Sequence, residues 1–128
     1  MEREGVVSLW LGSVNSSETL NELLKVSYTE DGDFTPSKFA QYYSIYRYDP
    51  DITEANFFIQ PKASLYELIE GFSYDEKIIL ALCNRKTEKL LTEYNSIILF
   101  YNFKYVGHTV CVKQQNCYFE FIDSVNYK

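Results

Sequence analysis

Paired carboxylates are plentiful in this 128-residue chain, but the residue types that carry catalysis form no known catalytic pattern in their spacing. The one histidine, His108, follows Gly107 in a predicted turn with no nucleophile or metal ligand beside it, so we expect an exposed surface residue. The chain has no glycine-rich phosphate loop and no G-x-S-x-G elbow. The sequence therefore predicts no catalytic residue and no cofactor, and it favours a binding protein over an enzyme.

Metal chemistry is not indicated either. The three cysteines, Cys83, Cys111 and Cys117, have no C-x-x-C spacing and do not complete a zinc set with the histidine. We expect buried free thiols, with a disulfide between Cys111 and Cys117 as the alternative, because these two lie on neighbouring predicted strands. The acidic run at 30–33 is similar to a calcium loop, but counting twelve positions from Asp31 reaches Tyr42 instead of a glutamate.

Residues 28–54 are unusually rich in both tyrosine and acid. They hold five of the twelve tyrosines and six acidic residues against two basic ones, a net charge of −4 within a chain total of −6. Tyrosine suits protein interfaces, and acids steer a basic partner. The alternative is that the tyrosines fill a core and the acids are merely solvated. On the first interpretation the candidate partner-binding residues are Glu30, Asp31, Asp33, Tyr42, Tyr46, Tyr48, Asp49 and Asp51.

The overall charge narrows the class of partner. A pI of about 4.8 argues against direct binding of nucleic acid, where Lys and Arg must neutralise phosphates. A basic protein, such as a nuclease, fits better. The first twelve residues do not form a signal peptide, and no apolar run is long enough to span a membrane. We therefore expect one cytoplasmic domain covering residues 1–128.

The first half of the chain predicts one strand and two helices around the acidic turn. Residues 6–11 form an apolar run closed by Gly12, which predicts a buried strand. Asn15 and Glu18 have capping-box spacing and predict a helix that ends near 26–28.

A second helix is predicted after the acidic turn, with Thr35 as its N-cap and Pro36 at its first position. Phe39, Tyr43 and Tyr46 then fall at i, i+4 and i+7, on one helical face. We expect Phe39 and Tyr43 to be buried, Tyr42 and Tyr48 to be exposed, and Trp10 to lie in the core.

The second half predicts a sheet. Residues 52–59 predict a strand at the edge of the sheet, because Pro61 follows and proline cannot donate a ladder hydrogen bond. Capping boxes at Ser64 and Ser73 predict the starts of two helices, and the second helix is expected to resume or continue to about Tyr94. Residues 96–105, 109–113 and a strand from Cys117 read as a three-stranded meander. The order β-α-α-β-α-α-β-β-β predicts an α+β fold, with an antiparallel or mixed sheet and helices packed mainly on one face.

Four segments, at residues 7–12, 28–39, 51–58 and 71–74, occur in an order that resembles the bacterial immunity protein family twenty-two of polymorphic toxin systems. The Trp-Leu-Gly element at 10–12 and the Asp-Gly-Asp-Phe-x-Pro-Ser element at 31–37 are the more specific parts. The resemblance runs from about residue 6 to about 103 and leaves the last hairpin unmatched. It implies a cytoplasmic antitoxin that binds a cognate toxin C-terminal domain directly. Toxins of such systems are often nucleases.

Two other functions stay open from the sequence. A small enzyme or ligand-binding domain would have a pocket between the sheet and the helices, lined by aromatic residues and a few carboxylates. A structural subunit of a larger assembly would also fit a tyrosine-rich surface. The sequence leaves the oligomeric state open.

Overall fold

The first strand of the chain is the centre of the sheet. In the computed structural model, which describes residues 1–84 and 89–128, this strand (β1, Glu2–Val14) pairs antiparallel with one strand on each side. Val7, Leu9, Trp10 and Leu11 are fully buried along it. An apolar run that is continuous, and does not alternate with polar residues, is what a strand covered on both faces requires.

The described residues form an α+β fold with a five-stranded antiparallel sheet of order β4-β5-β1-β7-β6 and a separate two-stranded hairpin, β2-β3. The remaining strands are β2 (Ser27–Tyr28), β3 (Phe34–Thr35), β4 (Thr53–Ser64), β5 (Lys89–Phe103), β6 (Cys111–Gln114) and β7 (Cys117–Asn126). The helices are α1 (Ser17–Leu24), α2 (Lys38–Tyr42), α3 (Leu65–Ile69) and α4 (Asp75–Cys83), with a 3₁₀ turn at Pro50–Ile52. None of these helices is both long and apolar enough to cross a membrane.

Helices cover both faces of the sheet. On one face α1 and α2 pack against Trp10 and Phe100, and on the other α3 and α4 pack against Leu9 and Leu99. The prediction that helices pack mainly on one face was therefore wrong. Because side chains alternate along a strand, the double-sided apolar character of β1 and β5 leaves two surfaces to be buried.

A β-bulge in β7 places side chains of this strand in the hydrophobic cores on both faces of the sheet. Leu9 pairs with Asp123 and Trp10 with Phe121, so Ile122 is an extra residue between two ladder positions. Because side chains alternate between the two faces of a sheet, one inserted residue places every side chain beyond the bulge on the opposite face from the one it would otherwise have occupied. Phe119 and Phe121 consequently contact the Trp10 side, whereas Val125 contacts the Leu9 side.

The predicted α+β class, the edge position of β4 and the final β6-β7 hairpin are confirmed. The three-stranded meander was wrong, because β1 lies between β5 and β7. Sequence proximity favoured pairing β5 with β6. Instead β5 pairs with β1, where its double-sided apolar run meets another one, for example Leu9 opposite Leu99.

Two of the first three helices have N-cap residues that differ from the predicted ones. The Ser64 cap of α3 is confirmed, but α1 is capped by Ser16 instead of Asn15, and α2 by Ser37. Thr35 instead pairs with Ser27 in the β2-β3 hairpin.

The last helix also differs from its prediction at both ends. α4 follows Tyr74, because the Ser73 hydroxyl and backbone N–H both donate to the Glu54 carboxylate. The predicted continuation of this helix to Tyr94 was wrong, since β5 begins at Lys89; residues 85–88 lie outside the described part.

The three cysteines are free thiols, and only Cys117 is buried, so the prediction of burial was wrong for Cys83 and Cys111. Cys111 pairs across the strands with Glu120, and Cys117 pairs with Gln114, so the two thiols are not opposite one another. The short edge strand β6 leaves Cys111 at the surface.

Gly12 is required by close packing between β1 and β7. A Cβ atom there would lie 2.7 Å from Phe119 Cε1, and closer still to Phe119 Cδ1 and the Tyr118 carbonyl oxygen. The glycine of the Trp-Leu-Gly element therefore makes room for the core ring of Phe119.

We predict that Gly12→Ala lowers the free energy of unfolding by about 1–3 kcal/mol, since overpacking moves a buried ring or the backbone. Urea unfolding measures the change. Ser13→Ala is the matched control, because Ser13 is the exposed neighbour on the same strand. Equal stability of the Gly12→Ala variant and the wild type would contradict the packing argument.

Candidate partner-binding surface

The predicted acidic turn is the tip of the β2-β3 hairpin. Thr29 N–H donates to the Asp33 carbonyl at 2.8 Å, and Gly32 N–H donates to the Thr29 carbonyl at 2.9 Å. Gly32 has a φ of 85°, a left-handed conformation that glycine adopts without steric cost. The turn leaves the side chains of Glu30, Asp31 and Asp33 exposed to solvent.

A chain of aromatic contacts ties this hairpin to the core. The Tyr28 and Phe34 rings lie 6.0 Å apart, and Phe34 meets Tyr48 edge-on at 5.3 Å. Tyr48 stacks on Phe100 at 4.7 Å with only 10° between the ring planes. Each such pair adds about 0.5–1.5 kcal/mol beyond area burial. The hairpin is thus fixed to β5 through Tyr48.

Tyr48 is buried, with 7% of its surface exposed, so its predicted exposure was wrong. Its hydroxyl accepts from Ser37 N–H and donates to Ser37 Oγ, both at 3.1 Å. Ser37 Oγ also accepts from Ala40 N–H and caps α2. Tyr48 therefore joins the helix start, the hairpin and the sheet. Nothing in its local sequence marks these long-range partners.

The early end of α2 separates Tyr46 from the core. Ser44 takes a left-handed φ of 57°, and Ile45 N–H reaches back to the Ala40 carbonyl at 2.8 Å, which terminates the helix in a Schellman-type turn. Tyr43 is buried as predicted, and Phe39 with it. Tyr46 leaves the predicted helical face and is 61% exposed.

Two neighbouring hollows open on this side of the molecule. The first, of about 610 Å³, is mostly apolar, and Tyr46, Val106 and the Met1 side chain stand exposed around it. The second, of about 430 Å³, lies between the hairpin and the 3₁₀ turn. It is lined by Tyr28, Phe34, Tyr48, Asp49, Pro50 and Asp51. Glu2 and Arg47 line both hollows and form the boundary between them.

The carboxylates around the second hollow are not neutralised by ion pairs. Asp49 Oδ1 accepts from Asp51 N–H at 2.9 Å and so begins the 3₁₀ turn. Among the side chains that the structure describes, the one ion pair joins Lys62 to Glu67. Glu2, Asp49 and Asp51 therefore keep their charge available to another molecule.

The loop after β5 forms part of the lining of the first hollow, through Tyr105, Val106 and Gly107. Tyr105 packs against Gly107, where a Cβ atom would lie 2.5 Å from the Tyr105 hydroxyl. The same hydroxyl accepts from Thr109 N–H at 3.1 Å. Tyr43 donates to the Val110 carbonyl at 3.0 Å, and burial raises the pKa of this phenol, which keeps it neutral and donating. His108 is exposed in this loop, as predicted.

The structure brings together only part of the predicted set. Tyr46, Tyr48, Asp49 and Asp51 surround the two hollows, and the hairpin acids extend the same side. Tyr42 is half-buried and lines a separate hollow of about 390 Å³, between α1, α2 and the β6-β7 turn.

Sequence reasoning missed Met1, Glu2, Arg47 and Val106. Folding brings the chain start and the loop after β5 together, as the backbone bond from Lys104 N–H to the Met1 carbonyl shows. No local pattern marks this contact. Within the described residues, no group of three or more His, Cys, Asp or Glu side chains is arranged to hold a metal ion.

The sequence model of the family described as "Immunity protein 22" matches residues 7–128. The chain belongs to the Immunity protein 22 family. The resemblance seen in the sequence is thereby confirmed, and the match also includes the last hairpin. No curated protein and no solved structure shows significant similarity to the chain. Family membership supports an immunity role.

In this immunity protein, the Trp-Leu-Gly element at 10–12 and the Asp-Gly-Asp-Phe-x-Pro-Ser element at 31–37 contain residues that stabilise the fold. Trp10 is buried among aromatic rings, and Gly12 makes room for Phe119. In the other motif, Phe34 packs on Tyr48 and Ser37 caps α2. These residues position the surface, and the exposed side chains between and beyond them are free to contact a partner.

We predict that Tyr48→Phe lowers the free energy of unfolding by about 1–2 kcal/mol, because Ser37 N–H then lies buried without its acceptor. Chemical denaturation measures the change. Tyr46→Phe removes the same hydroxyl from an exposed ring and should leave stability within about 0.5 kcal/mol of wild type. Matching losses in the two variants would argue against a positioning role for Tyr48.

Proposed function

We propose that this immunity protein is a cytoplasmic antitoxin, which neutralises a cognate toxin C-terminal domain by direct, stoichiometric binding. The observation that carries the proposal is an exposed surface where tyrosines and unneutralised carboxylates adjoin two hollows. Family membership supports the immunity role, and the net charge of −6 favours a basic partner, such as a nuclease domain.

The acids and the tyrosines have different tasks in this proposal. Asp31 and Asp33 are exposed at the tip of the hairpin, so they act mainly by speeding and orienting the encounter. Tyr28 and Tyr46, at 63% and 61% exposure, lose solvent on contact and supply binding energy. Tyr48 holds the hairpin in place beneath them.

The location of the hollows favours binding over turnover. The centres of both interfaces between the sheet and its helices are filled by fully buried side chains, such as Trp10 and Phe39 on one face and Leu9 and Leu68 on the other. The larger hollow opens at the surface, beside the chain start and the loop after β5. A protein partner can reach it without any movement of the core.

Co-purification tests the proposal directly. The tagged chain is expressed in its native host, the cells are lysed at low salt, and the proteins that elute in equal amount are identified. We expect a toxin C-terminal domain, retained at low salt and released progressively as salt rises. A toxin domain that is present in the lysate but flows through would contradict the antitoxin proposal.

We predict that replacing Asp31, Asp33, Asp49 and Asp51 together with Asn slows association with the toxin domain by about tenfold or more at low salt. Dissociation should become faster as well, because Asp49 and Asp51 line the second hollow, whereas Asp31 and Asp33 contribute mainly to steering. Stopped-flow binding at several ionic strengths measures both rates.

The matched control removes the same charge elsewhere. Glu22, Glu70, Glu76 and Glu93 are exposed and lie outside both hollows; Glu70 and Glu76 are on the α3 and α4 side of the sheet. Their fourfold replacement by Gln should slow association much less. If the two variants lose the same association rate, net charge alone guides the encounter and the proposed surface is misplaced.

A further inference from the structure

We propose that the second hollow, between the β2-β3 hairpin and the 3₁₀ turn, is a receptor for one arginine side chain of the toxin. The proposal rests on the proposed function, since it names the group that the toxin presents to this surface. It depends on two observations, which are the aromatic walls of the hollow and its acidic rim.

Aromatic side chains line the second hollow, with Tyr28 and Phe34 from the hairpin and Tyr48 from the edge of the core. Tyr28 and Phe34 form one wall with ring centroids 6.0 Å apart, and Tyr48 continues it at 5.3 Å from Phe34. A guanidinium group is planar, weakly hydrated for an ion, and stacks on aromatic faces. Tyr48 is fixed by Ser37 and Phe100, so this wall is formed before a partner arrives.

The rim is acidic and available. Glu2, Asp49 and Asp51 face one cation of this chain, Arg47, which leaves a local net charge of −2. Asp49 uses Oδ1 to accept from Asp51 N–H, so Oδ2 remains for another donor, and no ion pair engages Asp51 in the described chain. A guanidinium carries five N–H donors in a fixed fork that suits two carboxylates at once.

The hollow is large enough to admit an arginine side chain from the surface. A volume of about 430 Å³ lies at the small end of the range for ligand sites. Arg47 lies on the boundary with the first hollow, where it lines both. An arginine that enters the second hollow therefore leaves the first one for an apolar side chain of the same partner.

The hollow can be tested without the toxin. We would titrate the isotope-labelled protein with N-acetyl-arginine methylamide and follow the ring signals of Tyr28 and Tyr48 and the amide of Asp51 by NMR. We expect saturable shifts at these signals, with a Kd of about 1–10 mM, as for one charged side chain. Asp51→Asn should weaken binding severalfold, whereas Glu70→Gln, on the α3 side, should not.

Two analogues show which property is recognised. The citrulline analogue keeps the shape of arginine and loses the charge, and the lysine analogue keeps the charge and loses the planar fork. Weaker binding of both supports an arginine receptor. Shifts of equal size with citrulline, equal affinity for lysine, or no saturation with arginine would overturn it.

A double-mutant cycle carries the test to the complex. Asp51→Asn is combined in turn with Arg→Gln at each surface arginine of the captured toxin domain. We expect one arginine to show a coupling of tenfold or more in Kd, and the others to be additive. If the toxin binds and no arginine couples, the arginine receptor is wrong while the antitoxin function stands. If no toxin binds at all, the antitoxin function itself fails, whatever the analogues show.

Discussion

The packing of Trp10 is the interaction on which the rest of the structure depends. Its fully buried indole contacts five aromatic rings with centroids 5.0–5.8 Å away, and these belong to α2, β5, β7 and the flanking loops. Among the described residues its Nε1 has no hydrogen-bond partner, so packing alone holds the ring. One side chain on the central strand thus packs against the elements that carry the proposed binding surface.

Four of the five tyrosines within residues 28–54 fall into two structural classes, whereas Tyr42 is half-buried. Tyr43 and Tyr48 bury their rings and use their hydroxyls on Val110 and Ser37, whereas Tyr28 and Tyr46 stand exposed beside them. Contact residues supported by buried residues of the same segment lose little freedom when a partner arrives. Such preorganisation lowers the entropic cost of association.

Buried and exposed residues also differ in charge. The two cores are built almost entirely from apolar and aromatic side chains, with Ser8, Ser37 and Ser96 as the buried polar residues of the described chain. The acids of the hairpin and the 3₁₀ turn take little part in the core and remain solvated. Stability and partner attraction therefore rest on different residues, and the acidic surface can change without disturbing the fold.

The sequence by itself determined the elements whose signal is local, together with the family. The apolar run of β1, the Ser64 cap, the acidic turn and the burial of Phe39 and Tyr43 follow from periodicity and capping within a few residues. Only the tertiary structure decided the strand order, the second helical layer, the burial of Tyr48, and the place of Glu2 beside Asp49. These features depend on which apolar surfaces meet across some 50 to 120 residues, as in the pairing of β1 with β5 and β7. The choice among competing pairings therefore depends on the whole chain.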